Sequence, residues 1–128
     1  MAIFIFTKNI VEGKPIPVYN SGYMRRDFTY IDDIISGLRT TINCDYSYEL
    51  FNLGNNKSEK LMDMISIIEK YLNKKAQIDF QPIQLGDVTD TYADIDQTSK
   101  LIDYIPKTDI SEGIPKFIDW YKTYYKID

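Results

Sequence analysis

The sequence predicts a single α/β domain, α+β-like in places, in which about five helices alternate with short strands. Apolar residues recur at helical spacing in five segments of the chain. Between them lie apolar runs of four or five residues bounded by glycine, asparagine or proline, which are typical of short strands. The 128 residues are 44% hydrophobic, enough for one core, and no stretch has the composition of a linker. We therefore treat residues 1–128 as one domain.

The first predicted elements are a helix and a β-hairpin. Residues 2–12 carry apolar side chains on nearly every face, which favours a helix buried on more than one side. Ile16–Tyr19 and Asp27–Tyr30 have the composition of strands. The segment between them, 20–22, is Asn-Ser-Gly, a turn cluster, so we expect the two strands to pair as a hairpin. A second helix is predicted over residues 31–43.

The rest of the chain continues the alternation of helices and strands. Glu49–Leu53 is a short apolar strand that Gly54 closes. Ser58 can cap a third helix, whose apolar stripe is formed by Leu61, Ile65, Ile68 and Leu72. The remaining predicted elements are a strand over 76–80, a short helix around 96–104, and a last helix with a capping box of Asp109 and Glu112.

The composition argues against several partners. A formal net charge of −4 with interspersed signs disfavours nonspecific nucleic-acid binding, which needs a basic surface. The single cysteine, Cys44, cannot form an internal disulfide, and no run approaches the ~20 apolar residues of a membrane span. The N-terminal residues lack the features of a signal peptide. We therefore expect a cytoplasmic protein that binds neither nucleic acid nor a membrane.

The composition also restricts the chemistry. There is no histidine, which excludes the usual serine and cysteine triads and, with one cysteine, leaves no plausible zinc site. The six glycines stand far apart, so neither common type of glycine-rich phosphate loop is present. We expect no metal site, and any catalysis by this chain alone would rest on carboxylates, lysines or tyrosines.

Two polar groupings are candidates for ligand binding. Arg25 and Arg26 adjoin a turn and could hold a diphosphate; alternatively they point to opposite faces of a strand and one pairs with a carboxylate. The loop Gln84–Val88 contains a glycine beside Asp87, which could accept hydrogen bonds from two hydroxyl groups, as a ribose would offer; alternatively it is an ordinary turn. Composition alone favours the plainer alternative for both. Tyr19 is a candidate for stacking on a base because it lies near the arginines.

Several short motifs follow one another along essentially the whole chain. They are Glu12–Asn20, Arg26–Asp33, Phe51–Gly54, Gly86–Val88, Thr91–Asp94, Pro106–Thr108, Glu112–Gly113 and Phe117–Tyr121. Each motif alone is common, but the ordered series is specific. It resembles the extended short-chain dehydrogenase/reductase family, and within that family the nucleotide-sugar epimerases of the UDP-glucuronate branch.

The resemblance implies that the chain is the C-terminal, nucleotide-sugar-binding part of a Rossmann-type enzyme. The half that holds NAD and the catalytic Tyr-x-x-x-Lys pair would be absent, so the resemblance implies no catalytic residue and no cofactor site in this chain. Tyr71 and Lys75 have that spacing but lie downstream of the family's pair, so we assign them no catalytic role. Met1 falls at an internal position of the family pattern, so we expect a shortened reading frame or a deliberate truncation. In the intact enzyme, NAD would take hydride from C4 of the sugar and return it to the other face.

The resemblance also implies substrate contacts. Arg26 matches the arginine that binds the substrate diphosphate, and Asp87 matches the acid that hydrogen-bonds the ribose. Tyr19 and the backbone of Val18 stand where the family packs the base.

Two further positions are looser matches. Asn52 is similar to an asparagine close to the diphosphate in related dehydratases. Gln84 departs from the arginine of many sugar epimerases but is similar to the glutamine of the glucuronate branch, which slightly favours that branch.

Three hypotheses follow from the resemblance and the composition. The first is the substrate half of a UDP-glucuronate 4-epimerase, inactive alone, from surface polysaccharide synthesis. The second is a stand-alone nucleotide-binding or interaction module, and the third is part of a nucleotide-sugar dehydratase or reductase. Under the first, we expect weak UDP-sugar binding. We also expect a homo-oligomer, because the helix at 2–12 and the strand at 49–53 would expose apolar surface, chiefly at Ile3–Phe6.

Overall fold

The structure, a computed structural model, describes residues 2–127 and confirms the predicted α/β class. The described residues form five α-helices and four short strands. In chain order these are α1 (Ala2–Val11), β1 (Pro15–Tyr19), β2 (Arg25–Asp27), α2 (Ile31–Ile42), β3 (Ser58–Lys60), α3 (Leu61–Leu72), β4 (Gln77–Gln81), α4 (Asp96–Ile102) and α5 (Ile110–Tyr125), with a 3-10 turn over Asn20–Gly22. None of the helices within residues 2–127 is long and apolar enough to cross a membrane.

The four strands form two separate pairs. β1 runs parallel to β4, with Ile16 opposite Ile78. β2 runs antiparallel to β3, with Arg26 opposite Glu59. The parallel pair is possible because a long connection containing α2 and α3 lies between its strands.

The predicted β-hairpin is wrong. β1 and β2 follow each other in the chain but do not pair, and β2 ends where the second hairpin strand was expected to begin. The turn between them packs inward, because Gly22 and Met24 are both buried. Since the turn is part of the core rather than an exposed hairpin tip, each strand takes its partner from a later part of the chain.

The main core lies between β1, α1, α3 and α5. The apolar stripe predicted for α3 is confirmed, since all four of its members are buried. Apolar burial of this kind is the main stabilising contribution to a domain of this size. The fully buried apolar residues are Ile16 and Val18 of β1, Met64, Ile65 and Ile68 of α3, and Ile118 of α5.

The first helix is covered by the last one, so the expected exposure of Ile3–Phe6 is wrong. Phe6 is buried, and Ile3 packs against the main core. The Phe4 ring stands edge-on to Tyr121, with ring centroids 5.6 Å apart. Of these four residues only Ile5 is exposed. The helix therefore offers little apolar surface for an oligomer.

Two predictions around residue 54 also differ from the structure. Residues 49–53 pair with no strand among the described residues. Ser58 lies inside β3 and Lys60 precedes the first residue of α3, so Ser58 is not the cap of that helix. Both differences arise because strand pairing depends on residues distant in the sequence.

The capping box predicted for α5 does not form. Asp109 does precede the helix, but its side chain accepts a hydrogen bond from Lys57 at 3.0 Å instead of capping an amide. The Glu112 side chain likewise pairs with Lys116 at 2.7 Å. Ammonium groups within reach offer charge-assisted hydrogen bonds, which compete with the backbone amides.

A smaller buried cluster adjoins β2. It contains Tyr104, with Leu53 and Ala93 packed against it. At Gly54 the backbone passes so close that a Cβ atom would lie 2.3 Å from the Ala93 Cβ and 3.2 Å from Asp27 Oδ2. This position therefore has room only for a hydrogen atom.

We expect Gly54→Ala to lower the free energy of unfolding by about 1–3 kcal/mol, because the added methyl group overpacks a rigid contact. Ala93→Gly should recover much of that loss in the double variant, since it removes the opposing methyl group. Urea unfolding of the four proteins in this cycle measures the coupling. Strictly additive effects of the two substitutions would contradict the contact.

Candidate functional site

The structure brings two of the candidate residues into direct contact. Arg26, on β2, donates a hydrogen bond from Nη2 to Asp87 Oδ1 at 2.9 Å, although the two residues are 61 positions apart. Both side chains are only partly exposed, at 25% and 30%. A second donor of the guanidinium group, Nη1, binds the Arg25 carbonyl oxygen at 2.8 Å. The arginine predicted to bind diphosphate and the acid predicted to bind ribose thus form one ion pair.

The loop that carries Asp87 is shaped by a turn and by contacts with β2. The Asp87 amide donates to the Gln84 carbonyl oxygen at 3.1 Å, and Gly86 within that turn has a φ of +85°, which glycine adopts without strain. Further along, the Arg25 amide donates to the Thr89 carbonyl oxygen, and the Thr91 amide donates to the Arg25 carbonyl oxygen. The loop therefore lies alongside β2, and this holds Asp87 next to Arg26.

The neighbouring arginine has different partners. Arg25 binds Ser58 and lies 3.4 Å from a carboxylate oxygen of Asp90. Arg25 and Arg26 thus have different side-chain partners, as expected for neighbouring residues of a strand. The plainer alternative was that one of the two arginines pairs with a carboxylate. In the structure each of them does so, Arg25 with Asp90 and Arg26 with Asp87.

The remaining candidates are distributed over three segments. Val18 and Tyr19 end β1, where they stand opposite Phe80 and Gln81 of β4, the strand that leads into the Asp87 loop. The Val18 side chain is fully buried, so only its backbone could face a ligand. Gln84 is exposed and begins the turn before Asp87.

Asn52 is not joined to this group by any hydrogen bond among the described residues. Its side-chain amide donates to the Asp94 carbonyl oxygen at 2.9 Å, and its backbone amide donates to Thr98 Oγ1 at 3.0 Å. These contacts give Asn52 a structural role in holding residues 94–98.

A residue that received no role in the sequence analysis organises the surroundings of the pair. The carboxylate of Asp27 accepts hydrogen bonds from the backbone amides of Asn55, Asn56 and Ala93, at 2.8, 3.1 and 3.1 Å. The Asp27 amide in turn donates to Thr91 Oγ1 at 3.1 Å. The only sequence signal for this role is an aspartate at the end of a short strand, directly after the arginines.

A cleft of about 510 Å³ opens near this carboxylate, but none of the six candidate residues lines it. Its walls include Asn55, Lys57 and Tyr104. The buried Tyr104 hydroxyl donates to the Gly54 carbonyl oxygen at 2.9 Å. Burial, with a smaller contribution from the carboxylates of Asp33 and Asp27, raises the pKa of this hydroxyl above its usual value.

The described residues lack two features that the family resemblance places in the NAD-binding half. They contain no glycine-rich turn at the start of a helix, since the six glycines lie far apart. The Tyr71 and Lys75 side chains do not form a catalytic pair either, because Lys75 Nζ binds Glu69 at 2.9 Å. Within residues 2–127 there is also no group of three side chains that could hold a metal ion.

Comparison with known proteins identifies relatives of this chain. The sequence model of the NAD dependent epimerase/dehydratase family matches residues 1–54. An uncharacterized protein of Methanocaldococcus jannaschii is 54% identical over 121 residues, which cover 94% of this chain and 37% of that protein. UDP-glucuronate 4-epimerase 1 of Arabidopsis thaliana is 37% identical over 142 residues, with coverage of 98% and 33%.

A solved structure shares the same fold. The UDP-glucuronic acid 4-epimerase of Bacillus cereus, in complex with UDP-glucuronic acid and NAD, superposes with a TM-score of 0.89 at 33% identity. The match covers 98% of this chain and 40% of that one. This chain thus spans about two fifths or less of the length of these relatives.

The fold and the ordered motifs are those of an NAD-dependent epimerase/dehydratase over the shared part. Over that part, the chain is similar to the extended short-chain dehydrogenase/reductase family and has a UDP-glucuronate 4-epimerase-like fold.

We expect Tyr104→Phe to lower the free energy of unfolding near neutral pH by about 1–2 kcal/mol, because the Gly54 carbonyl oxygen loses its buried donor. The pKa of Tyr104 is raised in the folded state, so its stabilisation is complete below the unfolded value of about 10 and declines as the pH rises toward the folded value. Urea unfolding should therefore show a smaller difference between the two proteins at about pH 10.5 than at about pH 7. An equal difference at both pH values would contradict this assignment.

Proposed function

We propose that this chain is the substrate-binding part of an NAD-dependent nucleotide-sugar epimerase that acts on UDP-glucuronate. The observation that carries the proposal is the contact between Arg26 and Asp87, which joins a cation and an acid from two distant motifs. The proposal is also supported by the 33% identity to an epimerase whose structure was solved in complex with UDP-glucuronic acid and NAD.

The ion pair has capacity left for a ligand. Arginine has five N–H donors, and the contacts with Asp87 and the Arg25 carbonyl oxygen use two of them. The others could bind phosphate oxygens, which suit the planar fork of a guanidinium group. Asp87 Oδ1 accepts from Arg26 and from the Val88 amide, whereas Oδ2 has no partner among the described residues. That oxygen could accept hydrogen bonds from the ribose hydroxyls.

The other proposed contacts surround this pair. Tyr19 and the backbone of Val18 would pack the uracil base, and Gln84 would contact the nucleotide from the turn before Asp87. Asn52 is the weakest member of the set, because its side-chain amide already binds Asp94 and its backbone amide already binds Thr98.

The proposal confines this chain to binding and orientation. In the intact enzyme, the nicotinamide would supply the redox chemistry at the sugar. The residues described here would hold the diphosphate and ribose, which fixes the position of the sugar relative to that group. We further propose that the chain is inactive alone and that the intact enzyme serves the synthesis of surface polysaccharide. Both proposals rest on the family resemblance. The proposed location is the cytoplasm, as the composition of the chain favours.

A stand-alone nucleotide-binding module is the second candidate function. The observation that favours it is that Arg26 and Asp87 form their ion pair within this chain, without any residue of an NAD-binding half. Both functions require a nucleotide site at Arg26, but only the epimerase part requires a further polypeptide with an NAD site.

We expect UDP to bind this chain weakly, with a Kd on the order of 1 mM, because contacts from the rest of such an enzyme are missing. Amide chemical shifts should change at residues 18–30 and 84–88 during a titration. Arg26→Ala should abolish the changes, since it removes a charge-assisted phosphate contact of ~1.5–3 kcal/mol. Arg25→Ala is the matched control and should have little effect, because Arg25 is bound to Ser58 and Asp90. Equal effects of both variants would show that the site is misplaced.

We also expect no turnover of UDP-glucuronate and no stoichiometric binding of NAD by this chain. The reason is that residues 2–127 contain no glycine-rich turn, and that Lys75, which has the Tyr-x-x-x-Lys spacing to Tyr71, binds Glu69 instead. Calorimetry with NAD and a coupled assay with UDP-glucuronate measure both quantities. Tight NAD binding would contradict the assignment of this chain to the substrate part.

A further inference from the structure

Asp27 connects β2 to the segment that follows Asp87. Its backbone amide donates to Thr91 Oγ1 at 3.1 Å, and its carboxylate oxygen Oδ2 accepts the Ala93 amide at 3.1 Å. These contacts join residues that are 64 and 66 positions apart in the chain. Asp27 therefore holds the distant segment through two of its own groups, the amide and the carboxylate.

The remaining contacts of Asp27 occupy its carboxylate completely. Oδ1 accepts the Asn55 amide at 2.8 Å and the Thr29 hydroxyl at 3.3 Å. Oδ2 accepts the Asn56 amide at 3.1 Å in addition to the amide of Ala93. An ionised carboxylate offers about four acceptor sites, and here four donors use them. The Asp27 side chain is thus fixed in orientation and has no capacity left to bind a ligand itself.

The two residues of the candidate nucleotide site lie on either side of these contacts. Arg26 directly precedes Asp27 in β2. Residues 89–91 exchange two backbone hydrogen bonds with Arg25, at 2.8 and 3.2 Å, and Asp87 lies two positions before this stretch. The contacts that hold residues 89–93 alongside β2 therefore also place Asp87 opposite Arg26.

We propose that Asp27 is a positioning residue for nucleotide binding, which holds the loop of Asp87 against β2 so that Arg26 and Asp87 face one nucleoside diphosphate together. The inference rests on the function proposed above for that pair and adds the residue that fixes its geometry. Groups that are held in place before a ligand arrives bind it more tightly, because less conformational freedom is lost on binding. Asp27 itself would not touch the ligand, since its acceptor sites are occupied within the chain.

A purely structural role is the alternative, in which Asp27 contributes to stability and has no effect on nucleotide binding. Asp33 is the matched residue for this comparison. Its carboxylate is also largely buried and accepts the amide of Thr108, 75 positions away, at 2.9 Å. Thr108 lies just before α5 and outside the loop of Asp87. Removal of the charge at Asp33 therefore reports the effect of lost stability alone.

The test is a UDP titration of the unaltered chain, Asp27→Asn and Asp33→Asn, followed by amide chemical shifts. Asparagine has one oxygen where aspartate has two, so at least one backbone amide that binds Asp27 would face a second donor. We expect Asp27→Asn to raise the Kd for UDP at least ~5-fold and Asp33→Asn to leave it within about twofold. Urea unfolding shows the loss of stability in each variant and confirms that both are folded during the titration.

Hydrogen exchange tests the position of the loop without any ligand. The amides of Arg25 and Thr91 form the backbone bonds between β2 and the loop, and they should exchange at least ~10-fold faster in Asp27→Asn. Their exchange should not change in Asp33→Asn. If Asp27→Asn does not fold, Thr91→Val replaces it, because it removes only the Oγ1 acceptor of the Asp27 amide. That variant should change both the Kd and the exchange rates in the same direction.

The outcomes separate this proposal from the function on which it rests. Absence of UDP binding to the unaltered chain would overturn the nucleotide function, whatever the exchange rates are. If UDP binds, an unchanged Kd in Asp27→Asn, or an equal increase in Asp27→Asn and Asp33→Asn, would reduce Asp27 to a structural role. Unchanged exchange at Arg25 and Thr91 in Asp27→Asn would show that other contacts hold the loop.

Discussion

The carboxylate of Asp27 is the contact on which the arrangement of the loops depends. It accepts the backbone amides of Asn55 and Asn56 from one loop and of Ala93 from another, while its own amide binds Thr91. Three segments that are distant in the sequence are thereby held at the end of β2. Since a charged acceptor strengthens each bond, and loss of it would leave three amides without a partner, no neutral side chain could replace it without cost.

The close approach at Gly54 and the position of the ion pair are consequences of this contact. Gathering the loops around one carboxylate brings Gly54 against Ala93, and this excludes a side chain at position 54. It also holds residues 89–91 alongside β2, where they exchange backbone hydrogen bonds with Arg25. Asp87 lies just before this stretch, so its distance from Arg26 is determined by the same set of contacts.

Local patterns predicted the helices, whereas pairing between distant segments could not be derived from them. The stripe of α3 follows from side-chain periodicity alone, and its members are buried as expected. The hairpin failed because β1 pairs with a strand some 60 positions later, and no feature of residues 15–30 encodes that choice. The family resemblance places Arg26 and Asp87 around one ligand, and the structure brings the two side chains into contact. The spacing of the residues in the sequence does not predict this contact. The role of Asp27 was missed because its partners are backbone amides, which carry no sequence signal.

The candidate nucleotide site and the exposed side of α2 differ in whether their side chains have partners among the described residues. At the candidate nucleotide site, Arg26 and Asp87 neutralise each other, so the site can persist in water without a ligand. A ligand there would have to compete with this pair or share its spare donors and acceptors, which keeps the affinity of the chain low. On α2, by contrast, one side carries exposed apolar side chains, those of Ile31, Ile35, Leu38 and Ile42. Apolar side chains are stabilised by leaving water, whereas the ion pair is already satisfied within the chain, so the two surfaces differ in what would stabilise a contact with another molecule.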